Sequence, residues 1–405
     1  MAAMTRPGSA GDFRGGRTIA WSLGIAVLGV IGLVVGFVAD PRRTLHSYLA
    51  AYAYALSIAV GALVFMLISY AANARWMSVV RRLASTIALG VIPLALLFVP
   101  IALGASQLYL WADPPPSLPD QVRELLAHKR PYLNQPFFVA RTVAYFVIWI
   151  VAAVLLRLWS RRRERERETP PDPVAALARE RGFSSAFLPA VGLAMSFAAF
   201  DWLMSLEPTW YSTIFGIYYF AGGFLAGVAA IALCAYAGVR TGLMRDVLTP
   251  HHFHALGRML LAFTVFWAYV AYFQVFLIQI ADKPIETSFY LHRVHGSWKA
   301  FVYVLAVGHF ALPFLLLLPR ALKFRPAYVA AVALWILLVH FADMYWLVLP
   351  TGSPAGLTPH ALDLAALAAI LGPSVAFCAW VQRGVALVPE GDPLLPEGLG
   401  YASPQ

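Results

Sequence analysis

The sequence has few charged residues and almost no cysteine. Only 12% of its 405 residues are charged, whereas 60% are hydrophobic, and the mean hydropathy is +0.71. This composition excludes an ordinary soluble domain. The chain has two cysteines and no CxxC or CxxCH motif, which excludes covalently attached haem c and an iron–sulfur cluster carried by this chain alone.

Two further patterns are missing. The apolar runs lack the alternation over segments of about ten residues that is typical of a membrane β-barrel. The first run is too long for a signal-peptide core and has no small-residue cleavage site, so we expect it to remain as a helix. Several runs reach the roughly 18 residues that an α-helix needs to cross about 30 Å of hydrocarbon. The sequence therefore predicts an all-α polytopic membrane protein.

The apolar runs define about ten transmembrane helices. We predict them at about 18–38, 46–70, 83–105, 136–158, 184–206, 209–239, 255–280, 296–318, 326–349 and 360–381. Pro93 and Pro100 should kink the third helix. These boundaries give a membrane domain at 18–384 that contains a charged cytoplasmic loop at 159–182. A mobile cytoplasmic segment at 1–17 precedes it, and a Pro/Gly-rich cytoplasmic tail at 385–405, which we expect to be unanchored, follows it.

The positive charges indicate topology. The net charge is +10, and eight arginines lie between Arg157 and Arg181 in one loop. Most lysines and arginines fall in loops on the side of the two termini, where the positive-inside rule expects them. We therefore predict a multi-pass membrane protein with both termini cytoplasmic. The charge does not indicate nucleic-acid binding.

A carboxylate interrupts the fifth apolar run. Asp201 lies in SFAAFDWLMSLEPTW, about four residues before the corner Leu206-Glu207-Pro208. A carboxylate at that depth in a bilayer costs several kcal/mol unless it is paired, protonated or hydrated. Two interpretations stay open, a functional acid or a residue that reaches headgroup water or caps the corner.

Other polar residues are predicted at a similar depth. At about 1.5 Å per residue, Asp201, Gln274, His340 and Asp343 all fall in the outer half of the membrane, and His309 falls nearer the middle or the inner half. His340 and Asp343 are three residues apart and share a helix face. They could exchange a proton or form the polar end of a quinone pocket. Alternatively, each polar side chain makes an interhelical hydrogen bond.

These arguments give two sets of candidate site residues. The candidate proton-path residues are Asp201, His340, Asp343 and His309, and the candidate quinone-binding residues are Trp202, Tyr211, Gln274 and Trp346. No metal site is predicted. His251, His252 and His254 cluster in one loop, but no Cys, Asp or Glu stands beside them at ligand spacing.

Three motifs carry a family resemblance that covers nearly the whole chain. AMSFAAFDWLMSLEPTWYSTIFGIYYFAG, GRMLLAFTVFWAYVAYFQVFLIQIADKPIET and HFADMYW resemble the ActF group of NrfD-like membrane subunits in bacterial alternative complex III. The resemblance implies a subunit of a quinol:cytochrome c oxidoreductase. It also implies ten helices, eight of them in two four-helix bundles related to the membrane subunit of polysulfide reductase, and two peripheral helices.

The resemblance also implies ligands and partners. The subunit itself would carry no redox centre, quinol would be its candidate ligand, and haem c and iron–sulfur clusters would belong to partners. The implied partners are the sister NrfD-like subunit ActC, a periplasmic iron–sulfur/molybdopterin-like subunit, multihaem and monohaem cytochromes c, small membrane subunits and lipids. In this family the sister has the better supported quinol site, so Asp201, His340 and Asp343 are carried over as proton-path or quinol-facing candidates. A secondary transporter and a purely structural anchoring subunit are the alternatives.

Overall fold

The fold is helical throughout the ranges that the structure describes. The computed structural model describes residues 13–166, 172, 174–281, 284–353 and 356–404. It is 80% helical, and its described residues include no strand. Ten helices are long and apolar enough to cross a membrane. The predicted all-α polytopic membrane fold is confirmed.

The ten spanning helices follow the predicted order. They are α1 (Gly16–Ala39), α2 (Pro41–Ala71), α3 (Arg75–Leu103), α4 (Gln135–Glu166), α5 (Ala178–Trp202), α6 (Phe215–Arg240), α7 (Pro250–Ala281), α8 (Gly296–Leu317), α9 (Pro326–Gly352) and α10 (Ala361–Gln382). α2 and α7 begin about five residues before their apolar runs, each with proline in the first turn. Hydropathy marks the membrane-embedded part of a helix, whereas proline at the first position marks where the helix starts.

Eight of the helices pack as two adjoining groups of four. α2, α3, α4 and α5 contact one another in turn, as do α6, α7, α8 and α9, and α2 also packs against α6 and α9 across the boundary between the groups. α1 and α10 pack on each other beside α2. The apolar window of α2 is 89% buried and that of α1 only 22%, so α2 is the central helix and α1 is peripheral.

Glycines bring α2 and α6 into close contact across the boundary between the two groups. A Cβ atom added at Gly61 would lie 2.1 Å from the carbonyl oxygen of Gly223, and one added at Gly227 would lie 2.7 Å from the nitrogen of Ala62. Only hydrogen fits at these positions. Small residues allow the backbones of membrane helices to approach in this way.

Two spanning helices are interrupted. α3 is divided near residues 89–90 and 98, close to Pro93 and Pro100, which confirms the predicted kinks. α8 contains an unpredicted π-helical segment, Val304–Ala311, whose end is marked by a bond from the Leu312 nitrogen to the Val307 oxygen. Pro313 lacks an N–H, so the carbonyl of His309 has no i+4 donor and the turn widens.

The C-terminal segment differs from the expected unanchored tail. Residues 385–404 fold back onto the ends of α3 and α7, and Leu394 is fully buried. Asp392 of this segment pairs with the buried Arg81, and the Gly398 oxygen pairs with the buried His252. The composition of the segment does not reveal these pairings. Predictions for residues 1–12 lie outside the described residues, while 13–17 lead directly into α1.

The contact between α2 and α6 gives a stability prediction. We expect Gly61→Ala to destabilise the protein by about 1–3 kcal/mol, because overpacking must push the two backbones apart. Thermal unfolding in detergent would measure the effect. Gly24→Ala on α1 is the control, since a Cβ atom added there would have no heavy atom within 4 Å. An equal loss in both variants would contradict the close contact.

Candidate functional site

Asp201 is fully buried and fully paired. Arg141 on α4 donates from Nε to Asp201 Oδ2 at 2.8 Å and from Nη2 to Oδ1 at 3.0 Å. The hydroxyl of Tyr145, one turn further along α4, donates to Oδ2 at 2.7 Å. The Arg141 guanidinium also stacks on Tyr132 at 3.8 Å. Asp201 therefore joins α4 to α5 through a bidentate ion pair, and the pairing accounts for its burial.

Trp202 belongs to the same bundle as Asp201. Its indole N–H donates to Thr142 on α4 at 3.1 Å, and its ring packs against Phe98 and Phe146. Asp201 and Trp202 face α4, so the structure does not bring them together with His340 and Asp343 on α9. A shared depth fixes the distance along the membrane normal but does not say which helices are neighbours.

Tyr211 lies outside both bundles. It precedes α6 in the turn at 209–214, its side chain is 62% exposed, and Lys129 stands over its ring at 5.8 Å. The structure does not place it beside the other quinone-binding candidates, Gln274 and Trp346. The predicted sixth helix began at residue 209, but helical geometry starts only at Phe215, so Tyr211 does not turn toward the bundle.

The second bundle contains an apolar cavity of about 570 Å³. Its walls come from α6, α7, α8, α9 and the short helix Pro284–Val294. The lining includes Tyr218, Trp267, Gln274, Tyr290, Phe310 and Trp346. Gln274 is 4% exposed, and its Oε1 has no hydrogen-bond partner among the described residues. Two of the four predicted quinone-binding residues thus share one cavity.

A buried ion pair near the Leu206–Pro208 corner supports the cavity wall from behind, because Arg293 contacts the lining residues Phe289 and Leu347. Arg293 is fully buried, donates to Glu207 Oε1 at 2.5 Å and to the Leu347 oxygen at 2.9 Å, and stacks on Phe289 at 3.6 Å. Burial lowers the pKa of Arg293, and the Glu207 carboxylate opposes this shift. The pair was not predicted from the sequence. Both residues stand in loop-like sequence, where charge is expected to be solvated.

The acid–base cluster lies behind the cavity wall. Asp343 is fully buried and accepts a hydrogen bond at Oδ1 from Tyr218, which itself lines the cavity. Its Oδ2 lies 3.8 Å from Nδ1 of His309, just beyond hydrogen-bond distance. The His309 ring packs on Trp267 at a centroid distance of 3.9 Å, and neither ring nitrogen has a hydrogen-bond partner among the described residues.

His340 extends the cluster toward the first bundle. Its Nε2 lies 2.8 Å from Ser57 Oγ on α2, and the Ser57 hydroxyl already donates to the Tyr54 oxygen at 2.8 Å. His340 Nε2 must therefore carry the hydrogen, which leaves Nδ1 as an acceptor with no partner among the described residues. The rings of His340 and His309 lie 5.9 Å apart.

The arrangement corrects two expectations about these residues. His340 and Asp343 share a helix face, yet each is bonded to a different partner, Ser57 and Tyr218. His309 was expected at a different depth, but it lies beside both of them. The depth estimate assumed an ideal α-helix, whereas the π-helical segment of α8 changes both the rise and the direction of the side chain.

The fold and site define a multi-pass integral membrane protein with a buried acid–base cluster beside an apolar cavity. Among the described residues, no group of three or more His, Cys, Asp or Glu side chains is arranged to hold a metal ion. The chain matches no known family model and no curated protein sequence. What the protein does must therefore be argued from the chemistry of the site.

The Asp201 pair gives a second stability prediction. We expect Asp201→Asn to lower stability by about 3–5 kcal/mol, because it leaves the Arg141 charge without its carboxylate inside the membrane domain. The midpoint of thermal unfolding in detergent would report the loss. Asp120→Asn removes a carboxylate whose side chain is 97% exposed and should leave the midpoint unchanged. If both variants unfold like the wild type, the pair has no structural role.

Proposed function

We propose that this chain is a membrane subunit of a quinol:cytochrome c oxidoreductase of the alternative complex III type. Its role would be to form the wall of a pocket that faces quinol and to conduct the protons released on quinol oxidation. One observation carries the proposal. Tyr218 lines the apolar cavity and donates directly to the buried carboxylate of Asp343.

The cavity suits a planar ring with a long apolar tail. Trp267, Tyr290 and Trp346 supply aromatic walls, and Gln274 supplies a buried polar atom that can fix the orientation of a ring substituent. Tyr269 and Tyr272, also in the lining, are 56% and 67% exposed on the lipid-facing side of α7. A lipid-soluble ligand could therefore enter sideways from the bilayer.

The cluster behind the wall can accept and pass a proton. Tyr218 lines the cavity, and its hydroxyl donates to Asp343. A proton taken up by Asp343 has His309 as its next acceptor, since Oδ2 and Nδ1 are 3.8 Å apart. His309 is followed by the free Nδ1 of His340, whose other nitrogen is bonded to Ser57. These proton-accepting side chains lead in turn from the cavity to the contact between the two bundles.

In this proposal, partner subunits accept the electrons and make up the rest of the complex. The electrons would pass to a periplasmic iron–sulfur subunit and to cytochromes c, and a sister NrfD-like subunit would lie beside this chain. The surplus of arginine in the loops that share a side with both termini supports a cytoplasmic location for that side. On this orientation Glu207 and Arg293 lie toward the periplasm.

The alternative functions have less support. A secondary transporter usually has broken helices at corresponding positions of two repeats. Here the interrupted helices are α3 and α8, the second helix of one group and the third of the other. An anchoring role without chemistry would require the buried polar groups to satisfy one another. Asp201 is satisfied in this way, but the ring nitrogens of His309 have no hydrogen-bond partner among the described residues.

Substitution of the acid tests the proton role. We expect Asp343→Asn to reduce quinol-dependent cytochrome c reduction by at least about tenfold, because one general acid–base group typically contributes about 10²- to 10⁴-fold. His309→Gln should cause a loss of similar size. Turnover would be measured on the purified complex, with subunit content checked by mass spectrometry.

A matched variant separates chemistry from assembly. Asp363→Asn removes another buried carboxylate, one that is bonded to Arg43 and Ser47 at the opposite side of α9 from His309. This variant should lower the stability of the complex, but the complexes that still assemble should keep the wild-type turnover. Full turnover and a full proton-to-electron ratio in Asp343→Asn would refute the proposed role. Purification of the wild-type chain without haem c or large partners would refute the proposed complex.

A further inference from the structure

The segment 385–404, here named the C-terminal strap, is held by buried contacts. Asp392 pairs with Arg81 of α3 at 2.6 Å, and the two side chains are 1% and 2% exposed. Glu397 pairs with Arg75 at 2.8 Å at the surface. Leu394 between them is fully buried. The strap is thus an integral part of the helix ends on this side of the protein.

A histidine at the start of α7 holds the middle of the strap. His252 is fully buried, and its Nε2 lies 2.9 Å from the backbone oxygen of Gly398. Its Nδ1 accepts from the backbone nitrogen of Thr249 at 3.0 Å. One nitrogen must be an acceptor and the other a donor, so this geometry requires a neutral imidazole.

Two more histidines hold the end of the strap. His251 Nδ1 accepts from the backbone nitrogen of Ser403 at 3.1 Å, and His254 Nδ1 lies 2.7 Å from the Ser403 hydroxyl. His254 also stacks on Phe324 with ring centroids 4.3 Å apart. The cluster that looked like a weak metal motif therefore binds a peptide segment of the same chain. A proton on His251 Nδ1 would remove the acceptor that Ser403 needs.

The charges around His254 oppose its protonation. Arg258 on α7 and Lys323 and Arg320 on the short helix Arg320–Lys323 face His254, and Arg320 also donates to the strap at the Pro404 oxygen at 2.8 Å. On the strap, Tyr401 faces His252 at 5.7 Å. The two strap carboxylates, Asp392 and Glu397, are already bonded to arginines of α3. A second positive charge on this cluster would be repelled.

We propose that the C-terminal strap is an acid-releasable lock that joins α3 of the first bundle to α7 of the second through His251, His252 and His254. With the histidines neutral, the strap is docked and the two bundles are held together at this face. Protonation removes the acceptors for Thr249 and Ser403 and adds positive charge beside Arg258. The strap then detaches, at least from its middle to its end. This inference rests on the docking geometry alone and does not depend on the proposed function.

Hydrogen–deuterium exchange of the full chain in lipid nanodiscs tests the lock. Amide protection of the peptides covering 394–404 would be measured at about pH 8 and about pH 5.5, values on either side of the ordinary histidine range, after correction for intrinsic exchange. We expect the protection of these peptides to fall at least tenfold at the lower pH. Peptides of α2 should keep their protection at both pH values.

Variants distinguish histidine protonation from general acid unfolding. The double variant His251→Gln/His252→Gln cannot take up a proton at these two positions, and the glutamine amides can still donate and accept. With only His254 left to titrate, its strap should stay protected at low pH to a greater degree than in the wild type. His128→Gln, an exposed histidine on the helix Asp120–Lys129, should leave the release unchanged.

Two results would overturn the proposal. One is wild-type protection at 394–404 that does not change between the two pH values. The other is a double variant that is released at low pH to the same extent as the wild type. If the strap of the double variant does not dock even at about pH 8, Asp392→Asn gives a second test. This variant keeps all three histidines but weakens the ion pair with Arg81, so its strap should be released at a higher pH than that of the wild type. An unmoved release would also count against the lock.

Discussion

The structure depends on the cost of removing polar side chains from water inside a membrane domain. Each such group must find a partner within the protein or be part of its chemistry. Asp201 in the first bundle follows the first course, since it is bonded to Arg141 and Tyr145. His309 in the second bundle follows the other course, since it is equally buried but its ring nitrogens have no hydrogen-bond partner within the described ranges. The contrast separates a structural acid from a candidate reactive site within one chain.

Local backbone geometry creates that contrast. Pro313 removes the donor for the His309 carbonyl, α8 widens into a π-helical segment, and the Trp335 indole donates to the Gly308 oxygen at 2.8 Å. The imidazole is thereby directed at Asp343 and His340 rather than along an ideal α-helical face. Near the Leu206–Pro208 corner, Arg293 and Glu207 hold the short helix Pro284–Val294 against α9. The site is assembled from several elements, and none of them is sufficient alone.

Much of the fold was predictable, and the reason is physical. Hydrocarbon selects long apolar helices, so the ten segments and the kinked α3 follow from hydropathy and proline positions. For the site, the residue types at His309, His340, Asp343, Gln274 and Trp346 were recognised. Asp201 was grouped with them by depth, and Trp202 and Tyr211 were chosen as aromatic candidates for the quinone pocket, but the structure puts these three elsewhere. Glu207, Arg293 and Tyr218 were not recognised as partners.

The all-α multi-pass architecture and the polar residues inside the apolar runs can be read from the amino-acid sequence alone, because both reflect the cost of exposing polar groups to lipid. Which of those residues meet depends on how the helices pack side by side. Neighbours are chosen by lateral packing, as when Gly61 allows α2 to touch α6 and when His340 on α9 lies against Ser57 on α2. That choice depends on all helices at once, and so does the docking of the C-terminal strap on His252. The depth of a residue along its own helix does not say which other helix lies beside it.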